Sequence, residues 1–253
     1  LKIMIIRKNF LQFGPAQLFV SSFLIFSILG SLLLLLPGVT TDGISYVDAL
    51  FTATSAVCVT GLNVVDTEFN FTLFGQIIIL SLIQIGGLGI MTFTTFFSYF
   101  FKGGSSYKNQ MLVKDITNEE NLDNVFSALK SIIIITFLIE GVGFLLIFVS
   151  LSEAGLHIGE RIFFSIFHSV SGFCNAGFSS LSGSLYDLRI RFNFPVHIII
   201  SFLIILGGLG FPIIYNIWRY ILTNTSNLYK RVFRNERYAF KKPDISINTH
   251  LVI

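Results

Sequence analysis

Apolar residues dominate four long runs of this chain, approximately residues 17–36, 73–101, 131–151 and 195–222, and polar residues gather between them. A helix needs roughly 20 apolar residues to cross the hydrocarbon core of a bilayer, so each run is predicted as a membrane span. Two shorter helical patterns fall between spans, at approximately residues 46–57 and 160–173. Neither is long enough to cross. Residues 49–56 and 163–167 also lack the broad charged face that would let a helix lie flat on a membrane surface. Both patterns stop at a few small residues ending in glycine, so the order span, short helix, glycine loop, span occurs twice.

The two copies match residue by residue. Residues 51–62 read F-T-A-T-S-A-V-C-V-T-G-L and residues 167–178 read F-H-S-V-S-G-F-C-N-A-G-F. In register, Phe51 meets Phe167, Ser55 meets Ser171, Cys58 meets Cys174 and Gly61 meets Gly177. A second pair follows, L-I-Q-I-G-G-L-G at 82–89 and L-I-I-L-G-G-L-G at 203–210. An internal repeat in so apolar a chain points to a symmetric membrane protein whose repeats surround a shared site. Non-helical backbone at membrane depth is permitted only where it is buried in protein or lines a cavity, which makes each short helix and its loop a re-entrant pore loop. A helix entering from outside and stopping partway aims its partially negative carboxyl end inward, which favours a cation. The residues after each helix are Cys58, Val59, Thr60 and Gly61 in one copy and Cys174, Asn175, Ala176 and Gly177 in the other. Their carbonyls are free of helical partners and suited to replace the hydration shell of a cation. Glycine at the end of each stretch reaches backbone angles that let carbonyls face an axis.

Composition excludes a soluble alternative. Hydrophobic residues make up 53% of 253 and charged residues 12%, about half the usual charged share. The charges are also sided. Lys2, Arg7 and Lys8 precede the first run, Lys102, Lys108, Lys114 and Lys130 follow the second, and a cluster from Arg219 to Lys242 begins at the end of the fourth and continues beyond it. Residues 37–72 hold no Lys or Arg, only Asp42, Asp48, Asp66 and Glu68. After the third run Arg161, Arg189 and Arg191 are balanced by Glu153, Glu160 and Asp187. The positive-inside rule places both termini of the segment and the middle connection in the cytoplasm, and both glycine loops toward the outside. That flank also accounts for the basic tail without nucleic acid. No cleavable signal peptide is evident, because the first apolar run is too long and has no small-residue cleavage site. The two cysteines read as small apolar fillers rather than a redox pair or disulfide. No Ser-His-Asp or H-E-x-x-H set occurs, so an enzyme is not expected.

Other residues carry two readings each. Glu140 is the one acidic residue inside a predicted span; it either supports packing, bonded to a pore-helix group, or senses cation occupancy. Gly86, Gly87 and Gly89, with Gly207, Gly208 and Gly210, sit midway along the second span of each repeat, suited to close helix packing or to a gating hinge beneath the loops. Pro212 adds a kink in the second copy. His168 stands where the first copy has Thr52, for a structural hydrogen bond or for proton sensing. The outer carboxylates concentrate cations at an entrance or are simply solvated.

P-A-Q-L at 15–18, L-L-L-L-L-P at 32–37, A-L-F-T-A-T-S-A-V-C-V-T-G-L at 49–62, Q-I-G-G-L-G at 84–89 and F-C-N-A-G-F at 173–178 resemble the Trk/Ktr/HKT potassium transporters, above all the bacterial membrane subunits TrkH and KtrB. The resemblance covers essentially the whole chain. It implies an all-α membrane protein of repeated span–pore-loop–span units of the potassium-channel type, two of an expected four. One glycine of each repeat then belongs to a selectivity filter, and Gly61 and Gly177 match the first two. Serine in place of the first filter glycine goes with sodium permeation in plant members, so Gly61 leans toward potassium. The division expected is a cytoplasmic arm at 1–16, a first repeat at 17–101, a cytoplasmic connection at 102–130, a second repeat at 131–222 and a tail at 223–253. Residues 247–253 resemble the start of a third repeat, which suggests a partial sequence; two copies completing one ring is the alternative. Further implications are potassium as substrate with no cofactor on this chain, a homodimer in the bacterial cytoplasmic membrane, and cytosolic nucleotide-binding regulatory subunits of TrkA or KtrA type. The basic segments 102–130 and 219–242 are their docking surfaces. A non-conducting assembly subunit and a sodium-permeable transporter of the same family remain the competing readings.

Overall fold

The computed structural model describes residues 15–100, 122–152 and 155–233. The N-terminal arm up to residue 14, residues 101–121 of the middle connection and the tail beyond residue 233 lie outside the described residues. Among the described residues the structure is helical, with one isolated antiparallel bridge, Thr40 to Phe71. They divide into two compact units. The first holds residues 15–87 and 176–184; the second holds 88–100, 122–152, 155–175 and 185–233.

In the first unit, α1 (Pro15–Leu34) packs against the short helix α2 (Tyr46–Val57), and α3 (Thr67–Asn70) leads into α4 (Leu73–Phe100), which continues into the second unit. Helix α1 ends before Pro37 because the residue preceding a proline is pushed out of the helical region. It is shorter than its apolar run: the apolar part is Phe19–Leu34, below the length of a full span, while Leu35 and Leu36 lie in the turn. Helix α2 starts where Ser45 accepts from the N–H of Asp48 (3.2 Å) and donates its hydroxyl to the Asp48 carboxylate (2.7 Å). A side chain that caps the first turn satisfies N–H groups the helix leaves open. Gln76 is buried and donates Nε2 to the carbonyls of Thr67 (3.1 Å) and Phe71 (3.3 Å), locking α3 to α4.

In the second unit, α5 (Leu122–Ser150) packs on α6 (Ile158–Phe173), which packs on α7 (Phe194–Gly208); α8 (Phe211–Phe233) returns to α5. Its core gathers Ile132, Ile135, Phe173, Phe211 and Ile214. Asn193 opens α7, accepting from the Val196 N–H (3.3 Å) while its Nδ2 donates to the Ser150 carbonyl (2.8 Å). In the loop before it, Arg189 holds the Asp187 carboxyl down to about 2 through a bidentate pair at 2.8 Å.

The apolar segments Leu73–Thr92 and Leu129–Ser150 are each long and apolar enough to cross a membrane. Leu24, Leu145, Val149 and Ile198, all exposed, suit a lipid surrounding rather than water. The fourth predicted span, 195–222, is bent where Pro212 predicted a kink: Phe194–Gly208 meets Ile213–Thr225 at 106°. Gly210 takes a left-handed φ of 79°, which ends a helix, and Pro212 cannot supply the helical N–H. In the first repeat α4 runs through Gly86, Gly87 and Gly89 without a break.

Candidate functional site

Both short helices end in the same way. Helix α2 closes on Cys58 (φ −81°, ψ −1°) and α6 on Cys174 (φ −71°, ψ −9°). The next residue turns left-handed in each copy, Val59 at φ 57° and Asn175 at 60°. Gly61 (74°) and Gly177 (71°) turn left-handed two residues later, while Thr60 and Ala176 between them do not. The hand of the backbone therefore alternates along both loops in register. Alternation of this kind sends N–H groups to one side and carbonyls to the other.

Hydrogen bonds identify the N–H side. Cys58 donates to the Thr54 carbonyl (2.8 Å), Val59 to Ala56 (3.2 Å) and Thr60 to Ser55 (2.9 Å), all back into α2. The second copy repeats the first two: Cys174 to Val170 (2.9 Å) and Asn175 to Gly172 (3.1 Å) in α6. Among the described residues, no hydrogen bond ends on a carbonyl of residues 58–61. Those carbonyls therefore keep acceptor capacity among the described residues. Neither helix has a basic residue in its last turn, so the partial negative charge of each carboxyl end stands uncompensated there. Thr60, Asn175 and Gly177 are exposed, and Cys58, Val59 and Gly61 half-buried.

The first unit brings Gly61 together with the end of the second loop. A Cβ placed on Gly61 would stand 2.5 Å from the Ala176 carbonyl oxygen and 3.0 Å from the Gly177 Cα. Cys174 and Asn175 belong to the second unit.

Ser55 is a site residue whose role the sequence did not give. Its buried hydroxyl accepts from the Leu62 N–H (2.9 Å) and pairs with the Thr60 hydroxyl (2.9 Å), pinning both flanks of Gly61 to α2. The signal was present as the Ser55–Ser171 match, but a serine in a small-residue helix looks like filler.

The glycine clusters sit against the short helices. Gly86 lies on the Val57 carbonyl and Gly207 on the Phe173 carbonyl, each so close that a Cβ would overlap the oxygen. Val57 and Phe173 are the last residues of α2 and α6. A second matched contact sits one turn earlier along each short helix. A Cβ on Gly30 would meet Leu82 and Ala53, and one on Gly143 would meet Leu203 and Ser169. In each repeat a first-helix glycine, a short-helix small residue and a second-helix leucine converge. Gly87 and Gly89 fall within α4, and Gly208 and Gly210 flank the break.

Glu140 backs the second loop, and His168 is held within α6. The Glu140 carbonyl accepts from Ser169 Oγ (2.6 Å), and its carboxyl meets the Cys174 thiol (3.9 Å), with the side chain buried in α5. The His168 ring bonds the Phe164 carbonyl (3.0 Å) and stacks on Phe164 with centroids 3.9 Å apart. These contacts are the packing and hydrogen-bonding roles that the sequence offered for the two residues.

Known proteins similar to this chain are named as cation or potassium transporters. The TrkH family model, described as a cation transport protein, matches residues 15–251. The chain is 37% identical over 225 residues to Ktr system potassium uptake protein B of Bacillus subtilis, covering 88% of this chain and 50% of that protein. It is 40% identical over 211 residues to the protein of the same name from Vibrio alginolyticus, covering 82% of this chain and 45% of that one. It is also 40% identical over 215 residues to potassium/sodium uptake protein NtpJ of Enterococcus hirae, covering 84% and 46%. The chain thus spans about half the length of the curated relatives it matches. By the extent of the family match and the identity of these relatives, the chain belongs to the TrkH family of cation transport proteins.

Proposed function

We propose that this chain supplies two of the ion-lining loops of a potassium uptake pathway, with carbonyls of residues 58–61 and 174–177 replacing the hydration shell of the ion. The observation that carries the reading is the matched alternation of backbone hand in both loops, left-handed at 59 and 61 and again at 175 and 177. A cation passing such loops exchanges water for carbonyl oxygens presented at fixed spacing, and the carboxyl ends of α2 and α6 add favourable potential. The names of the relatives, potassium uptake proteins, support potassium as the ion.

In this reading α2 and α6 are re-entrant, the loops open outward and the basic segments face the cytoplasm. A homodimer, with cytosolic nucleotide-binding subunits docked on those segments, completes the assembly. The name of one relative, which pairs potassium with sodium, favours mixed permeation as the second reading.

The test is rescue of a potassium-uptake-deficient bacterium on limiting potassium, followed by rubidium uptake with competing sodium. Gly61→Ser should lower the preference for rubidium over sodium by about tenfold, which corresponds to about 1.4 kcal/mol of differential binding. Rescue with a preference unchanged by both Gly61→Ser and Gly177→Ser would remove these loops from the ion path.

A further inference from the structure

The two repeats differ at one loop position and at one helix, and the two differences touch. The second loop residue is Val59 in the first copy and Asn175 in the other, both left-handed. The second helix is continuous in the first copy and broken after Gly208 in the other. Asn175 reaches the break itself. With the amide turned so that both of its ends find partners, its nitrogen donates to the Ile204 carbonyl (3.2 Å) and its oxygen accepts from the Gly208 N–H (3.2 Å). Gly208 and Ile204 are four residues apart, the spacing at which an α-helix joins an N–H to a carbonyl directly. The amide thus sits beside the last turn of α7, whose Leu209 N–H still donates to the Ile205 carbonyl (3.0 Å), and a side chain bonded to the ladder at that place is positioned to favour a kink just beyond it. Gly207 makes the approach possible: the site of its missing Cβ is 2.9 Å from the Asn175 amide. Asparagine also tolerates the left-handed backbone far better than β-branched valine does, so one residue serves both the loop angle and the bridge.

We propose that Asn175 is a positioning residue that latches the break in the second repeat, so that Cys174, Asn175 and the α7–α8 bend move together. Valine at the matching position of the first repeat carries no amide, and Gly86, Gly87 and Gly89 stay helical there. The same glycines are present in both copies, so glycine alone does not make the break. Straightening of α7 and α8 would draw the amide out of its bridge and release the loop. Conversely, a loop reshaped by loss of its ion would pull on the bend. The coupling to ion passage rests on the proposed function above; the latch itself does not.

The experiment is a distance measurement between spin labels attached through a non-canonical amino acid at Phe202 and Ile221, both exposed, in the protein expressed from its whole reading frame. Arms of about 10 and 17 Å bent by 106° leave about 17 Å between the two backbones, against about 28 Å for a straight helix. Asn175→Val should shift the population toward the long distance. Asn175→Asp suits the left-handed backbone, yet sets oxygen against the Ile204 carbonyl, and should lengthen it too, so loss of one variant to misfolding leaves the other. Pro212→Met, the residue at the matching place of the first repeat, should keep the short distance while Asn175 is present. A wild-type distance in both Asn175 variants overturns the latch, as does full straightening by Pro212→Met alone. Rubidium uptake on the same samples separates the two readings. Lengthening with altered uptake supports the coupling, and lengthening with unaltered uptake overturns the coupling and the ion-lining role of residues 174–177 while the latch stands.

Discussion

Gly61 and Gly177 occupy matching places at nearly equal backbone angles, φ 74° and 71°, but not in matching space. A side chain on Gly61 would meet the Ala176 carbonyl, whereas one on Gly177 would approach only the Gly61 Cα, at 3.3 Å. Alanine at either position carries the left-handed penalty of about 1–2 kcal/mol. Gly61→Ala adds overpacking against backbone, another 1–3 kcal/mol or so, because a carbonyl cannot rotate away as a side-chain tip can. Thermal melts in detergent should therefore rank the proteins as wild type, then Gly177→Ala, then Gly61→Ala, and equal melting temperatures for the two variants would contradict this packing. Both glycines were legible in the sequence, since glycine after a small-residue stretch advertises a backbone angle. Val59 was not, because valine is among the residues least expected at positive φ, and only tertiary packing holds it there.

At the scale of elements, the sequence located α2 and α6 through their pattern and their repeat. It placed the fourth run and, from Pro212, a kink within it, but not the size of the bend, because an unbroken apolar run satisfies a straight span and a bent helix pair alike. Length and hydropathy carry no information about the size of a bend that depends on the left-handed angle of Gly210 as well as on the proline. The sequence left Gly86 and Gly207 open between hinge and close packing. Their contact with the terminal carbonyls of α2 and α6 gives packing its physical reason: the helix that follows each loop also buttresses the end of the helix before it. Gly86→Ala and Gly207→Ala should each destabilise by at least about 2 kcal/mol, since overlap with a main-chain oxygen forces whole helices apart. Gly141→Ala is the matched control. It lies in α5 with nothing within 4 Å of its missing Cβ, and alanine there should gain about 0.5–1 kcal/mol of helix propensity. Melting temperatures of the three variants decide the matter, and a harmless Gly86→Ala would mean that the two helices separate more easily than this contact allows.

At the scale of the molecule, the repeats that the sequence displays are not the units into which the chain packs. One division falls inside α4, after Gly87, and another falls within the second loop, after Asn175. Sequence periodicity reports common origin and local geometry, whereas packing follows whichever contacts form. Residues 176–184 therefore join the first unit although they belong to the second repeat. A tether explains part of that allegiance: the Ser182 N–H donates to the Glu68 carboxylate at 2.7 Å, across 114 residues of chain. Glu68 was legible only as an outer acidic residue suited to attracting cations, and nothing in the sequence linked it to a loop so far away. A charged acceptor strengthens such a bond relative to a neutral one, though water competes at an exposed site. Glu68→Ala should therefore speed hydrogen exchange across residues 181–184 several-fold while leaving α6 protected. Glu68→Gln keeps an acceptor oxygen without the charge and should fall between. An exchange rate at 181–184 indifferent to both changes would mean that Gly61 and the buried side chains of Phe178, Ser179 and Ser180 hold the segment unaided. If exchange follows the carboxylate, a residue read first as a cation attractor has a second task, holding the far side of the second loop in the unit that contains Gly61.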